Sequence, residues 1–577
     1  MIKPTPGVSY LLELLPSTLI PPIATYVFLS HILPRLNLGV PLLPLWSQLL
    51  AALLAHPVLT ILAHFYMTFR NARDAAARGA GPIPEAYDKW PGGWSLMTAL
   101  AKTEYPGDFL LDWFETYGNT FKATVAFDPV IFTIEPDHIK AILATEFDHF
   151  WKDPLIITTG VFNADDDMWK FHRSMSRPFF HRERISDFDT FDTHTRDALA
   201  HLKKRLADGY PVDIQDCVSR FTLDSATEFL FGKSVDSMSA GLSYPESSPL
   251  SNAPSFLSHP SNTYVRAFTY GQLMTVKRGA LATKWPLAEL WADKVKPHRD
   301  IADAYIEPIL DAALERKRAN EKDKDLEGGK GDEEATFLSH LVQATDNKEV
   351  IKDSIFNILV AGRDTTAATL TFAVYMLAEH PEIAVRLRKE ILDTVGSSRM
   401  ITYDDLRSMK YLRAFLNGAV LRTSRKATTL PAIRPGDKPF YVTPNTKVRY
   451  SVFLMHRRKD LWGPDALKFD PDRFLDERVK KYLTPNPFIF LPFNAGPRIC
   501  LGQQFALNEA SFFLVRLLQN FTGFALAPDA QPGATRPPAH WKNAKGTQAT
   551  EKIMLGRHLT MFAKGGLWVR MEEVKSE

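Results

Sequence analysis

Three short stretches of this chain hold residue types that could do chemistry together. The first is Pro492-Phe493-Asn494-Ala495-Gly496-Pro497-Arg498-Ile499-Cys500-Leu501-Gly502, which carries one of only 2 cysteines. Gly502 opens a helix predicted over Gln503 to Leu518, so a Cys500 thiolate would face backbone N–H groups at a helix N-terminus. Such groups lower a thiol's pKa and restrain its electron donation. Ala495 and Gly496 are small enough to let the backbone approach something flat and large, and Arg498 could pair with an anionic edge of it. The second stretch is Ala361-Gly362-Arg363-Asp364-Thr365-Thr366, in the middle of a helical pattern predicted from Phe337 to His380. Glycine costs up to about 1 kcal/mol in a helix interior, and Thr can bond back to the preceding turn's carbonyl. A locally widened helix is therefore expected, with Asp364 and Thr365 as an acid–alcohol pair able to relay protons. The third stretch places Trp169 and Arg173 on one helix face, where an indole N–H and a guanidinium can both donate to a carboxylate.

A cysteine thiolate under a flat group with an anionic edge is how a protein holds haem iron, and that ligand favours O–O cleavage. The spacing F-x-x-G-x-R-x-C-x-G resembles the haem-ligand loop of the cytochrome P-450 family, and A-G-x-D-T-T resembles the same family's oxygen-activation motif. The resemblance runs from about Pro82 to the end. It implies a mainly α haem-thiolate fold with a small β region, preceded by one or more transmembrane helices. It also implies haem b as cofactor, with Cys500 as the iron ligand. Phe493, Gly496, Ala361 and Gly362 join the cofactor site, and Trp169, Arg173, Arg422 and Arg498 hold the propionates. Asp364 and Thr365 manage protons. The reaction implied is insertion of one oxygen of O2 into a C–H bond, with electrons from NADPH through a membrane-bound flavoprotein reductase. His-Arg-Arg-Lys-Asp (456–460) and Thr-Thr-Leu-Pro (428–431) resemble fungal microsomal members acting on n-alkanes and fatty acids. The substrate implied is a long apolar chain or a fused aromatic.

The bulk composition agrees. The net charge of +3 is too slight to suggest nucleic acid, and 2 cysteines cannot build a disulfide framework, which favours a reducing, cytosol-facing compartment. Cys217 reads as a small buried residue. No Asp, Glu, Lys or Arg occurs between Leu36 and Phe69, and a spanning helix needs roughly 20 mostly apolar residues. Leu45 to Phe69 supplies them, and Arg70, Arg73, Arg78 and Lys89 beyond it place the downstream chain in the cytosol. Leu19 to Leu33 is apolar but interrupted by Pro21 and Pro22, so it is a second span or an interfacial segment. The organisation expected is an anchor over 1–78 in the endoplasmic reticulum membrane, a Gly/Pro hinge over 79–84 and a catalytic body over 85–577.

Within the body, Asp108 to Tyr117 reads as helix, Thr120 to Ile134 as paired strands and Pro136 to Phe150 as helix. Phe221 to Gly232 is an amphipathic helix, Ser237 to Asn262 a loop, and Tyr264 to Trp291 resembles the helices that roof the family's substrate chamber. Glu315 to Glu334 reads as a solvated connector, and Arg457, Arg458 and Lys459 as docking charges or a solvated turn. The family's Glu-x-x-Arg segment is missing: about ten residues between Asn417 and Arg422 have no counterpart. Its later partner, Arg473, would then be a buried charge without compensation, at a cost of about 3–5 kcal/mol. A chain so damaged is expected to load haem poorly. Two competing readings are a haem-thiolate protein inactivated by that loss and a peroxide-rearranging haem-thiolate enzyme.

Overall fold

The computed structural model describes residues 4–36, 43–102, 105, 107–152, 160–181, 185, 188–251, 253–324, 336–413, 421–544 and 546–575. Two long helices come first, α1 (Pro6–Val27) and α2 (Leu45–Ala77), packed against each other. The chain after α1 continues through a π turn (Phe28–Ile32) and a 3-10 turn (Leu33–Leu36), so Pro16, Pro21 and Pro22 do not cut the segment. Hydroxyls bond its carbonyls from within: Ser17 donates to Leu14 at 2.8 Å and Ser30 to Tyr26 at 2.6 Å. Side chains of this kind re-satisfy backbone groups that proline disturbs in a dry setting. Leu53, Phe65 and Phe69 on α2 and Ile20 and Ile23 on α1 are exposed. Pro6–Leu36 and Leu45–Ala77 are each long and apolar enough to cross a membrane, by length and composition.

The 79–84 segment is held to the body. Gly81 N–H donates to the Pro439 carbonyl at 2.8 Å, Tyr441 N–H donates to Gly81 at 2.9 Å, and the Tyr441 hydroxyl donates to Asp74 at 2.8 Å. The head of α1 also reaches the body, where Thr5 Oγ1 donates to the Leu290 carbonyl at 2.6 Å.

The longer helices that follow are α3 (Asp108–Tyr117), α4 (Asp166–Ser176), α5 (Asp189–Ala207), α6 (Ile214–Phe231), α7 (Pro260–Ala280), α8 (Lys296–Lys324), α9 (Phe337–Ala344), α10 (Lys348–Glu379), α11 (Pro381–Val395) and α12 (Gln503–Asn520). The alternating stretch 120–134 folds as the hairpin β1 (Thr120–Val125) and β2 (Asp128–Thr133), with Ala126 and Phe127 left-handed in the turn. The short strands after it are β3 (Phe150–Trp151), β4 (Val212–Asp213), β5 (Leu421–Ser424), β6 (Thr428–Leu430), β7 (Phe440–Val442), β8 (Lys447–Tyr450), β9 (Phe521–Leu526), β10 (Leu555–Arg557), β11 (Met561–Ala563) and β12 (Trp568–Glu573). The main sheet runs β1-β2-β8-β5-β3, and a second runs β4-β12-β9. The fold is thus mainly α with a small β region, as the resemblance implied.

Several boundaries differ from the pattern. The helix expected over Phe337 to His380 is two, because the Asn347 side chain accepts from the N–H groups of Glu349 and Val350 at 3.1 and 3.2 Å and restarts it. Residues 315–324 of the expected connector belong to α8. α6 begins at Ile214, so it contains Cys217, whose thiol burial pushes well up. α6, α10 and α12 form the centre of the core, with the rings of Phe221 and Phe513 4.7 Å apart and tilted at 40°. Residues 414–420, where the missing Glu-x-x-Arg segment would attach, lie outside the described residues. Beyond them the chain forms β5 and β6.

Candidate active site

The Cys500 loop is built by backbone bonds and two special conformations. Cys500 N–H donates to the Phe493 carbonyl at 3.1 Å and Ile499 N–H to Gly496 at 3.0 Å. Asn494 takes φ 67° and its side chain accepts from the Tyr450 hydroxyl at 3.1 Å. Gly496 has φ 71°, and a Cβ there would lie 1.8 Å from the Leu143 carbonyl oxygen. Glycine is therefore required because the protein's own backbone comes close, a constraint the sequence reading had assigned to a flat ligand.

The Cys500 thiol is exposed, whereas Cys217 is buried. It opens on a recess of about 510 Å³ lined by Arg173, Arg177, Phe180, His181, Gly496 and Pro497 among others. Burial of the loop pushes the thiol's pKa up, while the Gly502 N–H and the Arg173 charge pull it down. The expected helix-start donor is present, yet desolvation outweighs it.

Arg173 donates to the Ile499 carbonyl from both terminal nitrogens at 3.1 Å and lies 5.7 Å from the Trp169 ring centroid. Arg498 sits 4.6 Å from the same ring. Trp169, Arg173 and Arg498, more than 320 residues apart in sequence across their two segments, thus form one cluster beside the thiol. Arg498 also bonds Asp165 at 2.5 Å and the Ala164 carbonyl at 2.9 Å. Asp165 occupies the N-cap position of α4 without capping it, because its carboxylate is taken by Arg498 and the Lys152 N–H. Only the backbone of Arg422 is described, and it pairs with Val448.

On α10, Ala361 and Gly362 are half-buried and Thr365 is exposed, while Arg363, Asp364, Thr366 and Ala367 around them are buried. One narrow face of an otherwise packed helix is open. The helix is α throughout Lys348–Glu379, which corrects the expected widening. The Thr365 hydroxyl donates to the Ala361 carbonyl at 2.6 Å and so holds the turn closed. Asp364 accepts from Arg363 at 2.8 Å, and its second oxygen has no hydrogen-bond partner. The two members of the expected relay are adjacent in sequence, but their hydrogen bonds go to different groups.

Three further corrections concern charge. Arg473 is not left alone: it is 6% exposed, and its guanidinium bonds Asp465 at 3.1 Å and the carbonyls of Trp462 and Asp465 at 3.1 and 2.8 Å. Arg457 lies inward, 3.6 Å from the Phe453 ring centroid, and Arg458 pairs with Glu135 and Asp460. Neither is a docking charge. The sequence reading missed Glu509 on α12, which is fully buried beside the hydroxyls of Ser225 and Thr366 and whose pKa burial pushes up to about 8. A carboxylate flanked by Leu507, Phe512 and Phe513 on a core helix was the available signal.

The cytochrome P450 family profile matches residues 89–544. A cytochrome P450 52-M1 from Starmerella bombicola is 33% identical over 79% of this chain and 88% of its own length. A cytochrome P450 52A13 from Debaryomyces hansenii is 32% identical over 92% of this chain and 98% of its own. A cytochrome P450 monooxygenase g430 from a Fusarium species is 32% identical over 80% of this chain and 82% of its own. Fold, thiol loop and relatives agree on a haem-thiolate class of oxidoreductase, and the chain belongs to the cytochrome P450 family. Members are monooxygenases that take haem and receive electrons from a redox partner. The residues present fit that cofactor: one accessible soft ligand, guanidinium groups and an indole beside it, and an open helix face of small residues and a hydroxyl.

Proposed function

We propose that Cys500 is the thiolate ligand of haem b in this chain and that the enzyme oxygenates a long apolar substrate at the endoplasmic reticulum membrane. The observation that carries this is the single exposed thiol, set beside Arg173, Trp169 and Arg498 at the start of a core helix.

Haem held by a thiolate supplies the activation of O2. The chain's own residues do the rest. Trp169, Arg173, Arg422 and Arg498 would hold the propionates, and Phe493, Gly496, Ala361 and Gly362 would line the cofactor site. Thr365 Oγ1 holds a proton at the open face of α10. That hydroxyl now donates to the Ala361 carbonyl at 2.6 Å, and it would have to leave that bond to give its proton elsewhere. Asp364, kept beside Arg363, is the acid behind it. Arg177, exposed at the edge of the recess, supports docking of an acidic, NADPH-dependent flavoprotein reductase. α1 and α2 support anchoring, and Arg70, Arg73 and Arg78 after α2 favour a cytosolic body. The substrate class rests on the likeness to alkane- and fatty-acid-hydroxylating members.

The test is the absorption of the reduced, carbon-monoxide-treated full chain. A thiolate-type band is expected from wild type and from Cys217→Ser, and none from Cys500→Ser. An identical band from Cys500→Ser would overturn the assignment. Turnover that needs no NADPH would favour the peroxide-rearranging reading instead.

A further inference from the structure

The buried guanidinium groups of this protein are satisfied in two ways, and one residue escapes both. Arg278 bonds Glu289 and Asp293, Arg363 bonds Asp364, Arg220 bonds Asp216 and Arg498 bonds Asp165. Arg205 and Arg457 instead lie on the rings of Tyr244 and Phe453, 3.3 and 3.6 Å from the centroids. Arg449, on the central strand β8, has neither kind of partner among the described residues. Its one hydrogen bond is a long contact of 3.4 Å from Nη2 to the Gly279 carbonyl, and its Nε is buried with no acceptor. Burial and the nearby Arg557 charge both lower its pKa, with no carboxylate acting the other way. Arg449 is half-buried with its Nε fully enclosed, and a cation so placed with no anion and no ring is costly unless something else completes it.

Its position says what that is. Gly279 closes the C-terminal end of α7, the roof helix, so Arg449 lies where the main sheet meets the roof. Arg557 ends β10, and the next residue, His558, is within electrostatic reach of Asp364 and Arg363 on α10. Arg449 and Arg557 are thus two cations within electrostatic reach of each other, and His558, next to Arg557, is within reach of the helix turn that carries Thr365. We propose that Arg449, with Arg557 beside it, is an anion-binding subsite of the substrate chamber that takes the carboxylate of a long-chain acid. The subsite rests on the reading that this chamber accepts long apolar chains, and it goes further by fixing one end of the chain. With the carboxylate at Arg449, a carbon remote from it is the one presented at Thr365. Among chains of equal length, an acid is thereby distinguished from a neutral analogue.

The test is calorimetric titration of the full, detergent-solubilised chain with dodecanoate and with dodecan-1-ol. Arg449→Gln is expected to weaken dodecanoate about tenfold or more, the equivalent of about 1.4 kcal/mol, and to leave the alcohol within about twofold. Arg449→Lys should recover part of the acid's affinity. Arg557→Gln should lower the acid's affinity by a smaller factor and spare the alcohol. Retained alcohol binding reports that each variant is folded. Equal loss for both ligands in Arg449→Gln, or an unchanged acid-to-alcohol ratio in both glutamine variants, overturns the subsite. Binding of neither ligand by wild type overturns the long-chain reading itself, and the subsite with it.

Discussion

Arg473 and Arg449 are both cations drawn into the body, and they differ in what surrounds them. Arg473 has rebuilt a complete shell from its own neighbourhood: a carboxylate eight residues away, Asp465, and carbonyls from the same meander. Asp465 is shared with Arg478 at 2.8 Å, and Arg478 in turn reaches Asp470 and Asp476, so the meander carries its own charge network. Arg449 has a central strand below it, a roof carbonyl above it and another cation beside it. The difference is local: Lys447, two positions before Arg449 on the same strand, pairs with Asp128 at 3.4 Å, whereas Arg449 has no carboxylate partner among the described residues. An anion from outside the chain would complete it.

The largest test of the contrast uses the buried carboxyl on α12, which like Arg449 lacks an opposite charge. The folded pKa of Glu509 is raised from 4.5 to about 8. Between those values the folded protein binds a proton that the unfolded chain has lost, so stability falls as pH rises through that window. Glu509→Gln should remove this slope and stabilise the protein by roughly 3 kcal/mol at pH 8, read by denaturant midpoints at two pH values. A parallel slope in wild type and variant would refute it.

Next in size, Asp465→Ala strips the shared anion from Arg473 and Arg478. Breaking a buried pair costs about 3–5 kcal/mol, but the Asp465 side chain is 36% exposed, so about 2 kcal/mol is expected after solvent screening. A thermal midpoint unchanged in this variant would show that the carbonyls alone suffice for Arg473. The same pair has an acid limb. Despite the opposing effect of burial, Arg473 and Arg478 hold the Asp465 carboxyl below its usual range. Its stabilisation is therefore present above about pH 4 and lost as pH falls through the lowered pKa, and Asp465→Asn should flatten the acid side of the melting curve. The smallest effect is at the other arginine. Arg449→Gln removes an uncompensated buried charge and should leave stability unchanged or raise it by up to about 1 kcal/mol; a loss above 2 kcal/mol would mean that Arg449 is structural.

What could be read from the chain before folding was local. The Cys500 loop was legible because Gly496, Pro497 and Gly502 at set distances from a cysteine constrain backbone conformation directly, and α3 and the β1–β2 hairpin because period and turn residues agree. The Ala361–Thr366 stretch was legible as a site but not as a geometry. Its composition suggested an opened helix, and a single bond from Thr365 to Ala361 keeps it closed. The isolation expected of Arg473 does not occur, because Asp465, eight residues upstream, supplies a carboxylate outside the family's usual pairing. Glu509 and Arg449 were passed over because their significance lies in what is absent around them.

Residue types and short spacings by themselves determined the haem-thiolate class, the apolar amino-terminal helices and the mainly α body, since each follows from neighbours within a few turns of chain. Tertiary structure alone decided which charges are compensated, that Gly496 yields to the Leu143 carbonyl, and that Arg173 and Arg498 gather on Trp169. Those outcomes depend on atoms brought together from hundreds of residues away, and desolvation makes their presence or absence count.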